Sequence, residues 1–95
     1  MSRRRGSDTE GHKFTTERIE EVWEKGKKIS GKNPDLYKKD SAGNLIYKPS
    51  YGKNSEMGWE VDHKRPVDKG GTDNLRNLQP LQREENKEKG KKYPW

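Results

Sequence analysis

Apolar residues are sparse along this chain and gather in short groups, each with its own spacing. The first, Phe14, Ile19, Val22 and Trp23, has the spacing of one helix face. Thr15 or Thr16 can cap that helix, Glu17 lies in the first turn where the dipole favours an acid, and Gly26 supplies a stop. Phe14 ahead of the cap and Ile19 behind it are placed for a hydrophobic staple. Residues 27–35, KKISGKNPD, are turn-forming. Two short runs holding Tyr37, Ile46 and Tyr47 then flank Asp40 to Asn44, the pattern of a hairpin, with Pro49 limiting its second strand. Trp59, Val61 and His63 alternate with Glu60 and Asp62, the period of a half-buried strand, and Pro66 fits a strand that is ending. Adjacent strand residues point to opposite faces, so Asp62 and His63 can serve one site only if the strand loosens or bulges there. DKGGTDN, residues 68–74, is a loop, followed by a second short strand over Leu75 to Leu81. QREENKEKG reads as a helix of about two turns that is stable only when docked. At roughly 100° per residue, Arg83 and Lys89 share a side with Asn86 while Glu84 and Glu88 turn away, so positive charge faces whatever Asn86 faces.

Composition narrows this to one small domain. With 95 residues and 23% hydrophobic positions the chain cannot bury a large core. The apolar residues of the stretch 59–90 are too few to hold a core alone, so the Phe14 helix, anchored by Trp23, and the Tyr37 to Tyr47 hairpin are expected to pack against its back. Residues 1–13 have no apolar partner and are expected to be a disordered basic arm, in which Arg3, Arg4 and Arg5 could touch phosphates and His12 is an ordinary solvated histidine. Residues 14–95 then form the single domain, of α+β class.

Charge points to the partner. Lys and Arg outnumber Asp and Glu by 22 to 16, a net charge of +6, which attracts polyanions, nucleic acid first among them and anionic lipid as well. There is no cysteine, so no disulfide framework and no thiolate zinc site can form, and any metal must be held by oxygen and nitrogen. No secretory signal and no membrane-spanning stretch is present in these residues, so a cytoplasmic protein without a membrane partner is expected.

Within 59–90, an acid and an imidazole stand side by side, Asp62 and His63, followed by a Gly-Gly turn, Asn77 in a short apolar stretch, and Asn86 in the charged helix. Singly, each has an ordinary explanation: a hydrogen-bonded surface pair, a loop cap, a polar helix position. In this order and spacing, VDH, the Gly-Gly loop, NLQPL and ENKEKG resemble the HNH endonuclease family. The resemblance covers about a third of the chain and looks most like the version with Asp before the first His and Asn in place of the last, seen also in the HNH domains of RNA-guided DNA nucleases. It departs from many relatives in lacking the cysteine pairs of a structural zinc.

The resemblance implies a small ββα-metal (HNH) module buttressed by the N-terminal helix and the hairpin. It implies that His63 is the general base, that Asp62 and Asn86 hold one divalent cation, Mg²⁺ or Mn²⁺, and that Asn77 ties down the loop and orients His63. These types suit the chemistry: imidazole titrates near neutral pH, and carboxylate and amide oxygens are hard ligands that leave most of the coordination sphere open. Arg65, Lys69, Arg76, Arg83, Lys87 and Lys89 are the candidate phosphate contacts. The expected function is metal-dependent hydrolysis of phosphodiester bonds in DNA, duplex rather than single-stranded, compatible with recruitment by a larger phage or DNA-processing assembly. The alternatives are a catalytically silent nucleic-acid-binding module of the same fold and a small basic interaction or assembly protein.

Overall fold

The structure, a computed structural model, describes residues 6–90. The expected helix forms as α1, Thr16–Trp23, with the Thr15 hydroxyl accepting from the Arg18 amide at its N-cap. Its last carbonyls are met from outside: the buried Lys38 donates through Nζ to the Trp23 and Glu24 carbonyls at 3.1 and 3.3 Å. A side chain at residue 26 would crowd the Lys38 stem, at 3.0 Å from its Cδ, so the glycine just past the helix makes room for that cap.

β1, Tyr37–Lys39, and β2, Leu45–Tyr47, pair antiparallel with Tyr37 opposite Tyr47, as the hairpin pattern predicts. Asp40 at the turn is buried and does two jobs. Its Oδ1 accepts from the Ala42 and Asn44 amides, closing the turn, and its Oδ2 accepts from the Gln82 amide at 2.8 Å, bolting the hairpin to the second sheet.

The second sheet pairs β3, Trp59–His63, with β4, Leu78–Gln82, and α2, Arg83–Lys89, packs on both strands. The second strand begins three residues later than expected: Leu75–Asn77 is a 3-10 turn capped by the Asn74 side chain, and pairing starts at Leu78. Two strands and a helix thus form the ββα unit, with α1 and the hairpin beside it. Val22, Trp23, Ile46, Trp59, Val61 and Leu78 form one core cluster, with the Trp23 and Trp59 rings 5.1 Å apart. Each indole nitrogen is satisfied by a backbone carbonyl, Pro34 for Trp23 and Lys48 for Trp59.

Of the N-terminal stretch, residues 1–5, with Arg3, Arg4 and Arg5, lie outside the described residues, and residues 6–13 make hydrogen bonds among themselves and to the fold. Asp8 accepts from the Glu10 and His12 amides, Ser7 bridges to Lys13, and Thr9 bonds Asp73 across the fold. Polar side-chain to backbone bonds hold this segment where apolar burial could not.

Candidate active site

β3 carries Asp62 and His63 to its end. Register with β4 runs unbroken from Trp59 opposite Gln82 to His63 opposite Leu78, so the loosening expected at this pair does not occur. The two side chains leave opposite faces of a regular strand, because each residue of β3 has a ladder partner that keeps the pleat.

Asp62 points toward α2 and is buried. Lys89 Nζ lies 3.2 Å from its Oδ1, and Gln79, directly opposite on β4, donates from Nε2 to its Oδ2 at 2.8 Å. Burial pushes the Asp62 carboxyl above its ordinary value, and Gln79, Lys89 and His63 offset this only in part. Asn86, one helical turn before Lys89, donates from Nδ2 to Glu60 Oε1 at 2.8 Å. Asn86 and Lys89 on α2 therefore meet Glu60 and Asp62, two apart on one face of β3. Asn86 Oδ1 has no partner among the described residues, and it is not sealed from solvent, since the buried side-chain polar atom without a partner there is Arg83 Nε.

Lys89 was expected among the phosphate contacts, and the structure puts it inside. It is 2% exposed and its ammonium also donates to the His63 carbonyl at 2.8 Å. The helical spacing that aligns Lys89 with Asn86 aims it at the strand.

On the other face, His63 Nε2 lies 2.8 Å from Asp73 Oδ1, and its ring packs against Phe14. Asp73 also accepts from the Thr9 amide and, at 2.8 Å, from the Thr9 hydroxyl. Partial burial raises the Asp73 carboxyl, but the His63 and Thr9 hydrogen bonds outweigh it and hold the group below its ordinary value of 3.8. An ionised carboxylate only accepts, so Nε2 carries the hydrogen, and in the neutral ring that tautomer leaves the lone pair on Nδ1. Nδ1 has no partner among the described residues and, like Asn86 Oδ1, is not sealed from solvent.

The lowered carboxyl gives a pH dependence with a definite sign. The folded value lies below the unfolded one, so the Thr9 to Asp73 contact contributes fully above 3.8 and is lost as pH falls through the depressed value. Protection of the Thr9 amide from hydrogen exchange, corrected for intrinsic rate, is expected to hold above that window and collapse within it. Protection that stays level through the window would remove Asp73 as the anchor of the N-terminal segment.

Asn77 closes the intervening loop. Its Oδ1 accepts from the Arg65 amide at 2.9 Å, and its Nδ2 donates to the Arg65 and Thr72 carbonyls at 3.2 and 2.8 Å. It does not touch His63; it holds the loop whose next residue, Asp73, does. Inside that loop Gly70 takes φ of 87°, and a Cβ at residue 71 would stand 1.7 Å from the Arg65 carbonyl oxygen, so both glycines are required by the close turn. Arg65, Lys69 and Arg76 are exposed around it. Lys87 is exposed beside Glu84, whereas Arg83 is half-buried and donates to the Gly52 carbonyl.

Asp73, Glu60 and Gln79 were not singled out from sequence. Gln79 could have been found from the strand register, since it stands opposite Asp62. Asp73 sits in a run of turn residues and carries no signal of its own.

Comparison with protein families matches residues 50–92 to the HNH endonuclease family. Residues 50–92 are thus the part of the chain that is similar to HNH endonucleases. HNH proteins are in general nucleases that act on nucleic acid with divalent metal ions. Comparison with curated proteins and with solved structures gave no match. The HNH segment spans the last residues before β3, the whole ββα unit and its loop, and α1 and the hairpin stand outside it. No helix among the described residues is long and apolar enough to cross a membrane.

The donor set suits a hard divalent cation. Asp62 and Glu60 offer carboxylate oxygens, Asn86 offers a carbonyl oxygen with no protein partner, and no cluster of three or more His, Cys, Asp or Glu capable of holding a metal occurs among the described residues. Such a site supplies few protein ligands and leaves room for water and phosphate oxygens. Lys89 already neutralises Asp62, so a cation there would share or displace the ammonium.

Proposed function

We propose that this protein is a metal-dependent endonuclease that hydrolyses phosphodiester bonds in duplex DNA, with His63 as the general base. The observation that carries this is the placement of His63: its Nε2 lies 2.8 Å from Asp73 Oδ1, and Nδ1, the acceptor of the neutral ring so oriented, has no partner among the described residues. Asp62 and Asn86, on the α2 side, are the residues that would hold Mg²⁺ or Mn²⁺. The bound cation would neutralise charge on the scissile phosphate and on the leaving 3′ oxygen.

His63 Nδ1 takes a proton from the attacking water as its oxygen bonds phosphorus, and the 3′ oxygen departs with the electrons of the broken P–O bond and takes a proton from solvent, giving a 5′ phosphate and a 3′ hydroxyl. The bulge expected to bring Asp62 and His63 to one face is absent, so a single site would have to draw on both faces, with the phosphate lying across the end of β3, where Lys64 and Arg65 are exposed. Asp73 and, through the loop, Asn77 keep the imidazole in one orientation; Lys89 holds the His63 carbonyl from the other side.

A second reading, a nucleic-acid-binding module without catalysis, is favoured by the unbroken strand and by the ammonium resting on Asp62. Nicking of supercoiled plasmid separates the two. With Mg²⁺ or Mn²⁺ the protein is expected to convert supercoiled to open circular DNA, and chelation is expected to stop it. Binding without conversion under every divalent ion would establish the silent module instead.

A further inference from the structure

Four ammonium groups among the described residues have an acid beside them: Lys38 with Glu24, Lys48 with Glu20, Lys87 with Glu84, Lys89 with Asp62. In one cleft, lysines without an acid partner gather together. It lies between the segment after α1, the end of β1 and the end of β3, encloses about 130 Å³, and is lined by Lys25, Lys27, Lys39, Lys64, Ser41 and Gln79. Lys27 and Lys39 exchange both backbone hydrogen bonds at 2.9 Å, which sets them side by side. The Lys64 amide bonds the Asn77 carbonyl at 2.7 Å, and Lys25 Nζ bonds the Leu75 and Leu78 carbonyls, so the cleft walls are fixed. Among the described residues no Asp or Glu lies within ion-pair distance of any of these lysines. Burial, and then the charge of Lys64, pull the Lys25 ammonium below its ordinary value.

Like charges held together with no acid among them repel, and a bound anion relieves the repulsion. The cleft is too small for a nucleoside and suits a phosphate group. Its position identifies the source: Gln79 forms part of the wall and donates to Asp62 at 2.8 Å, so the cleft is one side chain from the candidate active site. We infer that Lys25, Lys27, Lys39 and Lys64 seat a backbone phosphate of the nucleic-acid strand, away from the bond that is cut. The identity of the polyanion rests on the nuclease reading; the existence of the seat rests on the lysines. Ammonium groups act here as point charges without the planar fork of arginine, so the contact fixes register and reads no bases.

The test compares Lys27→Gln/Lys39→Gln/Lys64→Gln with Lys28→Gln/Lys32→Gln/Lys53→Gln, which removes the same charge from exposed positions elsewhere. Binding of a short labelled duplex is followed by fluorescence anisotropy in EDTA over a range of salt. The cleft variant is expected to bind about tenfold more weakly and to lower the slope of log K against log salt by roughly 1, since each phosphate contact contributes roughly 0.9. The control variant is expected to shift little. Equal losses in both variants, or no loss in either, overturns the seat. Loss of binding to phosphatidylserine vesicles without loss on DNA overturns it in favour of a membrane surface. On the unaltered protein, DNA is expected to shield Lys27, Lys39 and Lys64 from an acetylating reagent and to leave Lys28 and Lys53 reactive; uniform shielding counts against the seat. Plasmid nicking is read separately. A protein that binds through the cleft and never cuts keeps the seat and loses the nuclease, while one that cuts with the cleft lysines irrelevant loses only the seat.

Discussion

Replacing His63 with alanine is expected to slow metal-dependent cleavage by roughly 10²–10⁴-fold, the usual contribution of a positioned general base. DNA binding should survive, because the imidazole is buried and gives little surface to a phosphate. The loss should appear in kcat with little change in KM, since proton removal belongs to the transition state and not to the ground-state complex. His63→Ala also leaves a gap beside Phe14 and strands Asp73 with Thr9 as its remaining side-chain partner. A circular-dichroism melt therefore has to accompany the kinetics. His63→Asn, closer in volume, should show the same loss of rate with less loss of stability. Cleavage that persists in both variants would remove His63 from the chemistry and with it the proposed site.

Removing Asp62 should damage both stability and activity. Asp62 and Lys89 have side-chain exposures of 5% and 2%, so Asp62→Ala leaves an ammonium inside the fold with only the His63 carbonyl to meet it. Breaking a buried pair from one side costs about 3–5 kcal/mol. Burial works against this pair, raising the Asp62 carboxyl, and a buried pair in general gains less from existing than it loses from being half removed. Asp62→Ala/Lys89→Met is accordingly expected to be more stable than Asp62→Ala alone by urea denaturation, though equally unable to cleave. If the double variant is no more stable than the single one, the buried charge is not what the single variant suffers from.

How far sequence carried can be judged from particular elements. α1 was legible because its apolar stripe, its Thr cap and its acidic first turn agree, and the hairpin because Tyr37, Ile46 and Tyr47 flank a turn that Asp40 closes. β4 was legible as a strand but not in its start, since a 3-10 turn and an extended run can share the same apolar residues. Asn77 was legible as a loop tie, and the structure sharpens it to a clamp on Arg65 and Thr72. In the N-terminal segment the contact from Thr9 to Asp73 joins residues 64 apart, which no local pattern encodes.

The sequence by itself determined the α+β composition, the pairing of an acid with an imidazole at a strand end, and the helical alignment of Asn86 with Lys89, because these depend on periods of 2 and 3.6 that any chain must obey. Only the tertiary structure decided what those residues meet. An unbroken ladder sends Asp62 and His63 apart; Lys89, read from the helix as a charge for phosphate, becomes the partner of Asp62; and Asp73, silent in its loop, becomes the orienter of His63. The physical reason is that a side chain's direction follows from local geometry, whereas its partner depends on which distant element the fold brings within a hydrogen bond's reach.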